Sequence, residues 1–302
     1  MTVKFIPPCL ATLHKSVPRG EAWIHEIKFD GYRIQAHRFG GKATLYTRSG
    51  LDWTSDFQTI AEQLKKLKAK SFVIDGEAVV QDEKGRPSFG ALQAALGEDG
   101  RSEDIVYYAF DLLILDGADL RSQPLLERKR LLARLLGKAS KKSRIQYSGH
   151  VEADDGRSLF DQACKGGLEG IVSKKAAAPY RSGRGADWLK VKCTQRGTFV
   201  VIGYVKGGAG GSFGAMRLAK KERGKLHYIG KVGTGWNNAM AIKLAKMLAP
   251  IEIPKAPVEG RLIKKDTRWV EPRYEADIVY TEISNDGMLR HPSFKGIEPI
   301  KL

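Results

Sequence analysis

Three cysteines in 302 residues, Cys9, Cys164 and Cys193, are too few, too scattered and odd in number for a disulfide framework or a zinc site. Reduced thiols are the expectation. No run of about eighteen apolar residues occurs, which excludes a membrane-spanning helix, and the opening MTVKFIPPCL lacks the apolar core of a secretion signal. These absences point to a soluble intracellular protein with no membrane partner. Acid is also short: 34 acidic side chains face 51 basic ones, leaving a formal charge of +17. Such an excess favours a polyanionic partner, because each phosphate neutralised releases condensed counterions. Nucleic acid would use it more fully than a nucleotide alone. The length suggests about two domains, each able to bury its own core.

What is present centres on WIHEIKFDGYRIQAHRF, Trp23 to Phe39. Apolar and polar residues alternate on both sides of Asp30-Gly31, which predicts a β-hairpin with a positive-φ turn. Ile24, Glu26 and Lys28 then point one way and His25, Ile27 and Phe29 the other. A two-residue turn sets Lys28 across from Arg33. Opposed cations repel unless the strands splay or an anion lies between them, and a phosphate would serve.

Further along, Thr54 to Lys70 has apolar residues at helical spacing, with Ser55 and Gln58 in the pattern of a capping box. SFVIDGEAVV, Ser71 to Val80, reads as a strand broken at Asp75-Gly76, with Glu77 between apolar neighbours where a solvated carboxylate is unexpected. PSFGALQAAL reads as a short helix, and Val106 to Leu115 as a buried strand containing Phe110. Pro124, as the first helical residue, opens an amphipathic helix that runs to Leu136. A basic linker follows around 138 to 144, then a helix from Ser158 to Lys165 closed by Gly166-Gly167. EGIVSK, Glu169 to Lys174, reads as a strand. In DWLKVKC, Asp187 to Cys193, Lys190 and Lys192 share one strand face, where two ammonium groups need anions. Beyond about Gln195, short strands, Gly-rich turns and one helix, Trp236 to Leu248, fit a five-stranded barrel of the OB type. No helix follows GGAGGSFG, so it reads as a flexible hairpin loop.

EIKFDGYR resembles the E-x-K-x-D-G-x-R motif of the nucleotidyltransferases, shared by ATP-dependent DNA ligases and, more loosely, RNA capping enzymes. Further likenesses follow in the family's order: Arg48-Ser49-Gly50, D-G-E ending at Glu77, F-D-L-L from Phe110, E-G-I-V-x-K from Glu169, W-x-K-x-K from Trp188, and LRHPSFKG near the end. Over essentially its whole length the chain resembles the ligase domain of bacterial multifunctional end-joining ligases. The resemblance implies an α+β fold, with a nucleotidyltransferase (adenylation) domain of antiparallel sheets and helices over residues 1–195 and an OB-fold β-barrel over 196–302.

It further implies that Lys28 attacks ATP, that Glu26 reads the adenine amino edge, and that Arg33 and Arg48 approach the nucleotide. Glu77 would hold the sugar and a metal, Phe110 the purine face, Glu169 a metal or its water, and Lys174, Lys190 and Lys192 the phosphates. The closing motif, with Arg290, Lys295 and Lys301, would orient departing pyrophosphate. Where many relatives end in R-x-D-K, this chain reads Glu298-Pro299-Ile300-Lys301, so only Lys301 stands in, and self-adenylation is the step most exposed to that change. ATP is the implied substrate, Mg²⁺ or Mn²⁺ the metal, and nicked or broken duplex DNA the partner, with a Ku-like end-binding protein as a further one. A monomer in the bacterial cytoplasm, nucleoid-associated when on DNA, is the expectation. No helical domain precedes Trp23, so the two domains would hold DNA between them.

Three other readings share parts of the pattern. An RNA ligase or capping nucleotidyltransferase has the same central motif and often an OB partner. A non-catalytic DNA-binding module could keep the fold, but the full set of lysines and acids argues against it. A nucleotide-binding regulatory protein would leave the charge excess without use.

Overall fold

The computed structural model describes residues 4–97, 100–138, 140, 143–207, 213–259, 266–284 and 286–300. The chain divides into two units, Met1–Cys193 and Thr194–Leu302. In the first, the strands are β1 (Cys9–Leu13), β2 (Trp23–Ile27), β3 (Tyr32–Phe39), β4 (Lys42–Thr47), β5 (Phe72–Val79), β6 (Val106–Leu115), β7 (Ala118–Asp119), β8 (Ile145–Tyr147), β9 (Val151–Glu152), β10 (Gly170–Lys175) and β11 (Gly183–Lys192). The helices are α1 (Gln58–Lys65), α2 (Phe89–Ala95), α3 (Leu125–Leu136) and α4 (Asp155–Lys165). One sheet runs β1-β11-β10-β2-β9; the other runs β4-β3-β5-β6-β7, with β8 beside β6. Pairing is antiparallel apart from two parallel pairs, β1 with β11 and β6 with β8.

Period-two burial explains the layering. One face of the six-stranded sheet packs Ile34, Ile74 and Leu112 against Phe57, Ile60 and Leu64 from the α1 region and Leu92 of α2. Its other face presents Val73, Leu113 and Ile114 to Cys9 and Trp188 of the five-stranded sheet and to Tyr180. The outer face of that second sheet is closed by α4, where Ala163 meets Ile171 and Val191. Each fully buried Val, Leu, Ile or Phe among them contributes roughly 1.5–3 kcal/mol of transfer free energy.

The expected hairpin at Asp30-Gly31 does not form. β2 is buried along His25 and Glu26 and pairs with β10 and β9, whereas β3 pairs with β4 and β5. A strand covered on both faces belongs inside a sheet, and the segment after Ile27 crosses from one sheet to the other. Gly31 is needed for close approach instead of for a positive φ: a Cβ there would lie 2.1 Å from the Ala78 carbonyl oxygen. Lys28 and Arg33 therefore do not oppose each other.

Smaller expectations also shift. The helix foreseen from Thr54 starts at Gln58 with no side-chain cap, so the Ser55/Gln58 box is not made. Pro124 is the N-cap residue of α3, not its first helical residue. The cysteines differ most: Cys164 and Cys193 form a disulfide with their Cα atoms 5.3 Å apart, and only Cys9 is free. Antiparallel pairing of β10 with β11, which sets Gly170 opposite Lys192, closes that 29-residue separation.

The second unit contains β12 (Gln195–Val205), β13 (Ala215–Glu222), β14 (Lys225–Val232), α5 (Asn238–Leu248), β15 (Glu252–Ile253), β16 (Thr267–Val270), β17 (Tyr274–Tyr280), β18 (Glu282–Ile283), β19 (Leu289–Arg290) and β20 (Ser293–Pro299). Its main sheet runs β14-β13-β12-β16-β15, and β17 joins β12 to β20. β12 is shared along one edge: residues 195–200 pair with β17 and 203–205 with β16. The described pairings curl in this way without closing a ring, so the OB-type unit is an open version of the expected barrel. Asn237 caps α5 by accepting from the Met240 amide, so the helix starts at Asn238, two residues later than the start expected at Trp236. Ala241, Leu244 and Leu248 of α5 pack on Val201, Met216 and Ile278. The centre of the Gly-rich loop, 208–212, and Lys301 lie outside the described residues. No described helix is long and apolar enough to cross a membrane.

Candidate active site

Both sheets of the first unit line a cleft of about 200 Å³. Of the residues singled out in the sequence, Glu26, Lys28, Arg33, Arg48, Glu77, Phe110, Lys174 and Lys190 face it. Glu169 joins through an ion pair with Lys28, and Lys192 through one with Glu169. Arg290 and Lys295 lie in the second unit, on β19 and β20, where Arg290 pairs with Glu282.

At one end of the cleft the Glu26 carboxylate is buried and held by three donors. Glu26, 2% exposed, receives Lys129 Nζ on Oε1 at 2.8 Å, and Lys174 Nζ and Ser148 Oγ on Oε2, each at 3.0 Å. Burial disfavours the Glu26 charge, but the two ammonium groups outweigh it and hold the carboxyl below its usual range. Lys174, foreseen on the phosphates, sits 4.3 Å from the Phe110 ring centroid and 4.2 Å from that of Trp188. Burial pulls its ammonium down to about 8, against the attraction of Glu26. Arg33 also lies over Phe110, at 4.5 Å, so a purine stacked there would share the ring with two cations.

Arg33 is fixed from behind. Its guanidinium forks onto buried Asp75 with bonds of 2.6 and 2.7 Å, and Tyr180 donates to the same carboxylate. Glu77, opposite Arg33 on β5, has no hydrogen bond or ion pair among the described residues. Burial pushes its carboxyl up to about 7, with Asp75 and Glu169 adding to the shift and Arg33 and Lys28 opposing it.

At the other end Lys28 Nζ contacts Glu169 Oε2, and Lys192 Nζ holds Oε1 at 2.8 Å. Burial acts against the Glu169 charge, yet the two lysines keep its carboxyl below its usual range. Lys190 is lowered by burial and by the neighbouring Lys28, Lys192 and Arg184. Lys190 and Arg48 have no ion-pair partner among the described residues, so positive charge at this end is in surplus. Among the described residues no three His, Cys, Asp or Glu side chains cluster as a metal site. Glu77 and Glu169 nevertheless supply hard oxygen donors of the kind Mg²⁺ takes when waters and phosphates complete its shell.

A family model described as the ATP dependent DNA ligase domain matches residues 8–192, and one described as the ATP dependent DNA ligase C terminal region matches 209–301. The chain belongs to the ATP-dependent DNA ligases. It is 37% identical over 305 residues to the multifunctional non-homologous end joining protein LigD of Pseudomonas aeruginosa, covering 99% of this chain and 36% of that protein. The corresponding values for LigD of Mycobacterium bovis are 34%, 98% and 39%. The chain thus spans little more than a third of these curated relatives. Among solved structures, the ligase domain of M. tuberculosis LigD is 32% identical with a TM-score of 0.58, covering 97% of this chain and 94% of that one. A mycobacterial DNA ligase D complexed with ATP and MES is 31% identical with a TM-score of 0.57, covering 97% and 95%.

Several residues that shape the cleft of this ligase carried no functional reading in the sequence. Lys129 and Ser148 hold Glu26, and Asp75 and Tyr180 hold Arg33. Arg128, 0% exposed, forks onto buried Asp111 and donates to the Gln123 and Ala178 carbonyls, tying α3 to β6. A signal was available. Leu125, Arg128, Lys129 and Leu132 follow the i, i+3, i+4, i+7 stripe of a buried helix face, and two cations on that stripe require buried partners. Asp111, inside the apolar run VYYAFDLLIL, is such a partner.

Proposed function

We propose that this ligase seals breaks in duplex DNA through a lysyl-adenylate on Lys28. Lys28 Nζ attacks the α-phosphorus of ATP and pyrophosphate leaves. The adenylate passes to a DNA 5′-phosphate, and a 3′-hydroxyl then displaces AMP. The observation that carries this reading is the contact of Lys28 with Glu169, itself paired with Lys192, at the cation-rich end of a cleft whose other end is already built around Glu26. A lysine suits the task because it holds the adenylate covalently and divides one difficult displacement into easier ones.

Lys28 must lose a proton to attack, and Glu169 is the base in contact with it. A phosphate that draws Lys192 away would leave that carboxylate more basic toward Lys28. Lys190, Lys192 and Arg48 bind the phosphate chain, Glu26 meets the adenine edge, and Arg33 holds Phe110 from one side. Mg²⁺ or Mn²⁺, when bound, is held by Glu77 and Glu169 and supplies charge neutralisation on the phosphates. Little other proton chemistry is needed, so positioning and charge carry most of the rate.

The second unit contributes Arg290, Lys295 and Lys301 to the nucleotide step and basic side chains to the DNA backbone. End joining, named for the LigD relatives, is the role we assign, with the protein acting as a monomer and a Ku-like protein as its recruiter. The test is one gel assay of the purified chain with ATP and Mg²⁺ on nicked DNA, nicked RNA and triphosphate-ended RNA. Sealing of nicked DNA is expected. Sealing of RNA alone, or transfer of the nucleotide to the triphosphate end, would overturn the reading.

A further inference from the structure

Lys129 lies on the core stripe of α3, 1% exposed, where no substrate can touch it. Its ammonium donates to Glu26 Oε1 at 2.8 Å and to the Ser148 carbonyl at 2.9 Å, and it lies 4.7 Å from the Tyr147 ring centroid. Ser148 is itself anchored, its amide donating to the Ala109 carbonyl next to Phe110. Lys129 thus ties Glu26, on the five-stranded sheet, to the segment that follows β8 of the other sheet.

Each oxygen of a carboxylate offers about two acceptor sites. Glu26 Oε2 has both filled, by Lys174 and Ser148, whereas Oε1 has one filled, by Lys129. One acceptor remains on this carboxylate, and Lys129 sets the direction in which it points. An acceptor so placed favours a base edge carrying an N–H donor over one carrying a keto oxygen, because a carboxylate facing a carbonyl leaves both lone pairs unmet.

We infer that Lys129 is a positioning residue for nucleotide choice, aiming the remaining acceptor of Glu26 at the 6-amino group of adenine and against 6-keto purines. This rests on the reading of Glu26 as the residue that meets the base edge, and it extends base recognition to a side chain that never contacts the nucleotide.

The experiment compares self-labelling of the full chain by α-labelled ATP and α-labelled inosine triphosphate, which differ at position 6, for the wild type, Lys129→Met, Lys129→Gln and Glu26→Gln. Lys129→Met should lower the ATP-over-ITP ratio of kcat/KM by about tenfold or more, mainly through a raised KM for ATP. Lys129→Gln, uncharged and shorter, should lower it too, and it serves if the Met variant fails to fold. A purely structural Lys129 would depress labelling by both nucleotides together and leave the ratio unchanged, which overturns the inference. If Glu26→Gln lowers the ratio while the folded Lys129 variants do not, only the role of Lys129 fails. If Glu26→Gln leaves the ratio unchanged, the reading of Glu26 fails and the inference with it.

Discussion

Two residues apart, one on β2 and one just past its end, Glu26 and Lys28 sit in opposite electrostatic situations. Glu26 is buried and held by two ammonium groups and a hydroxyl, so its charge is satisfied before any ligand arrives. Lys28, 20% exposed, shares one carboxylate with Lys192, and further cations around it are unpartnered among the described residues. The difference matches the two tasks proposed for these residues. A group that reads a base edge must be preorganised, because every rotamer it loses on binding weakens affinity. A group that meets a triphosphate gains from charge left uncompensated, since the incoming anion completes it and attraction is strong where water is scarce.

The sharpest way to break that contrast is at Lys28. Lys28→Ala should abolish labelling by α-labelled ATP while leaving the thermal midpoint nearly unchanged, since the side chain is partly exposed. Lys28→Arg should fail equally, because arginine stays protonated and cannot attack. Label retained in either variant would move the nucleophile elsewhere.

At the preorganised end the largest effect should fall on the fold. Arg128→Met leaves Asp111 buried and unpaired, a loss of about 3–5 kcal/mol. Urea denaturation would record it, and a loss below about 1 kcal/mol would show that α3 is held mainly by its leucines.

Glu169→Gln removes one charge between Lys28 and Lys192 at nearly constant shape. Labelling should slow by about a hundredfold, with DNA affinity little altered. A fall mainly in DNA affinity, measured by fluorescence anisotropy, would make Glu169 a structural residue.

The smallest effect is one of pH. Burial raises the Glu77 carboxyl from its ordinary 4.5 to about 7, so the folded protein holds a proton there that the unfolded chain has released. The stability associated with that proton is fully present below the unfolded value and is lost as pH rises through about 7. Glu77→Gln cannot ionise, so in metal-free buffer its thermal midpoint should exceed that of the wild type by a few degrees more at pH 8 than at pH 5. A constant difference would mean that Glu77 stays solvated.

The sequence carried the site further than it carried the fold around it. The residues that face or adjoin the cleft could be named because Lys28, Glu77, Glu169, Lys190 and Lys192 stand in short segments whose order and spacing are distinctive. Alternation reports only that a segment is extended, not which strand lies beside it, and β2 pairs with β10 where a hairpin with β3 was expected. Lys129 is not legible as a buried group because a basic residue in an amphipathic helix is usually solvated.

By itself, then, the sequence determined local conformation and the inventory of chemistry: where period two or 3.6 applies, which charges sit in apolar runs, and which lysines share a strand face. These depend on neighbours a few residues away. Tertiary structure alone decided that β2 joins β10 instead of β3, that Cys164 meets Cys193, and that Lys129, Lys174 and Ser148 converge on Glu26 across more than a hundred residues of chain. Those pairings follow from the burial of whole sheet faces, and a buried charge must find its partner wherever packing brings one, however distant in the chain.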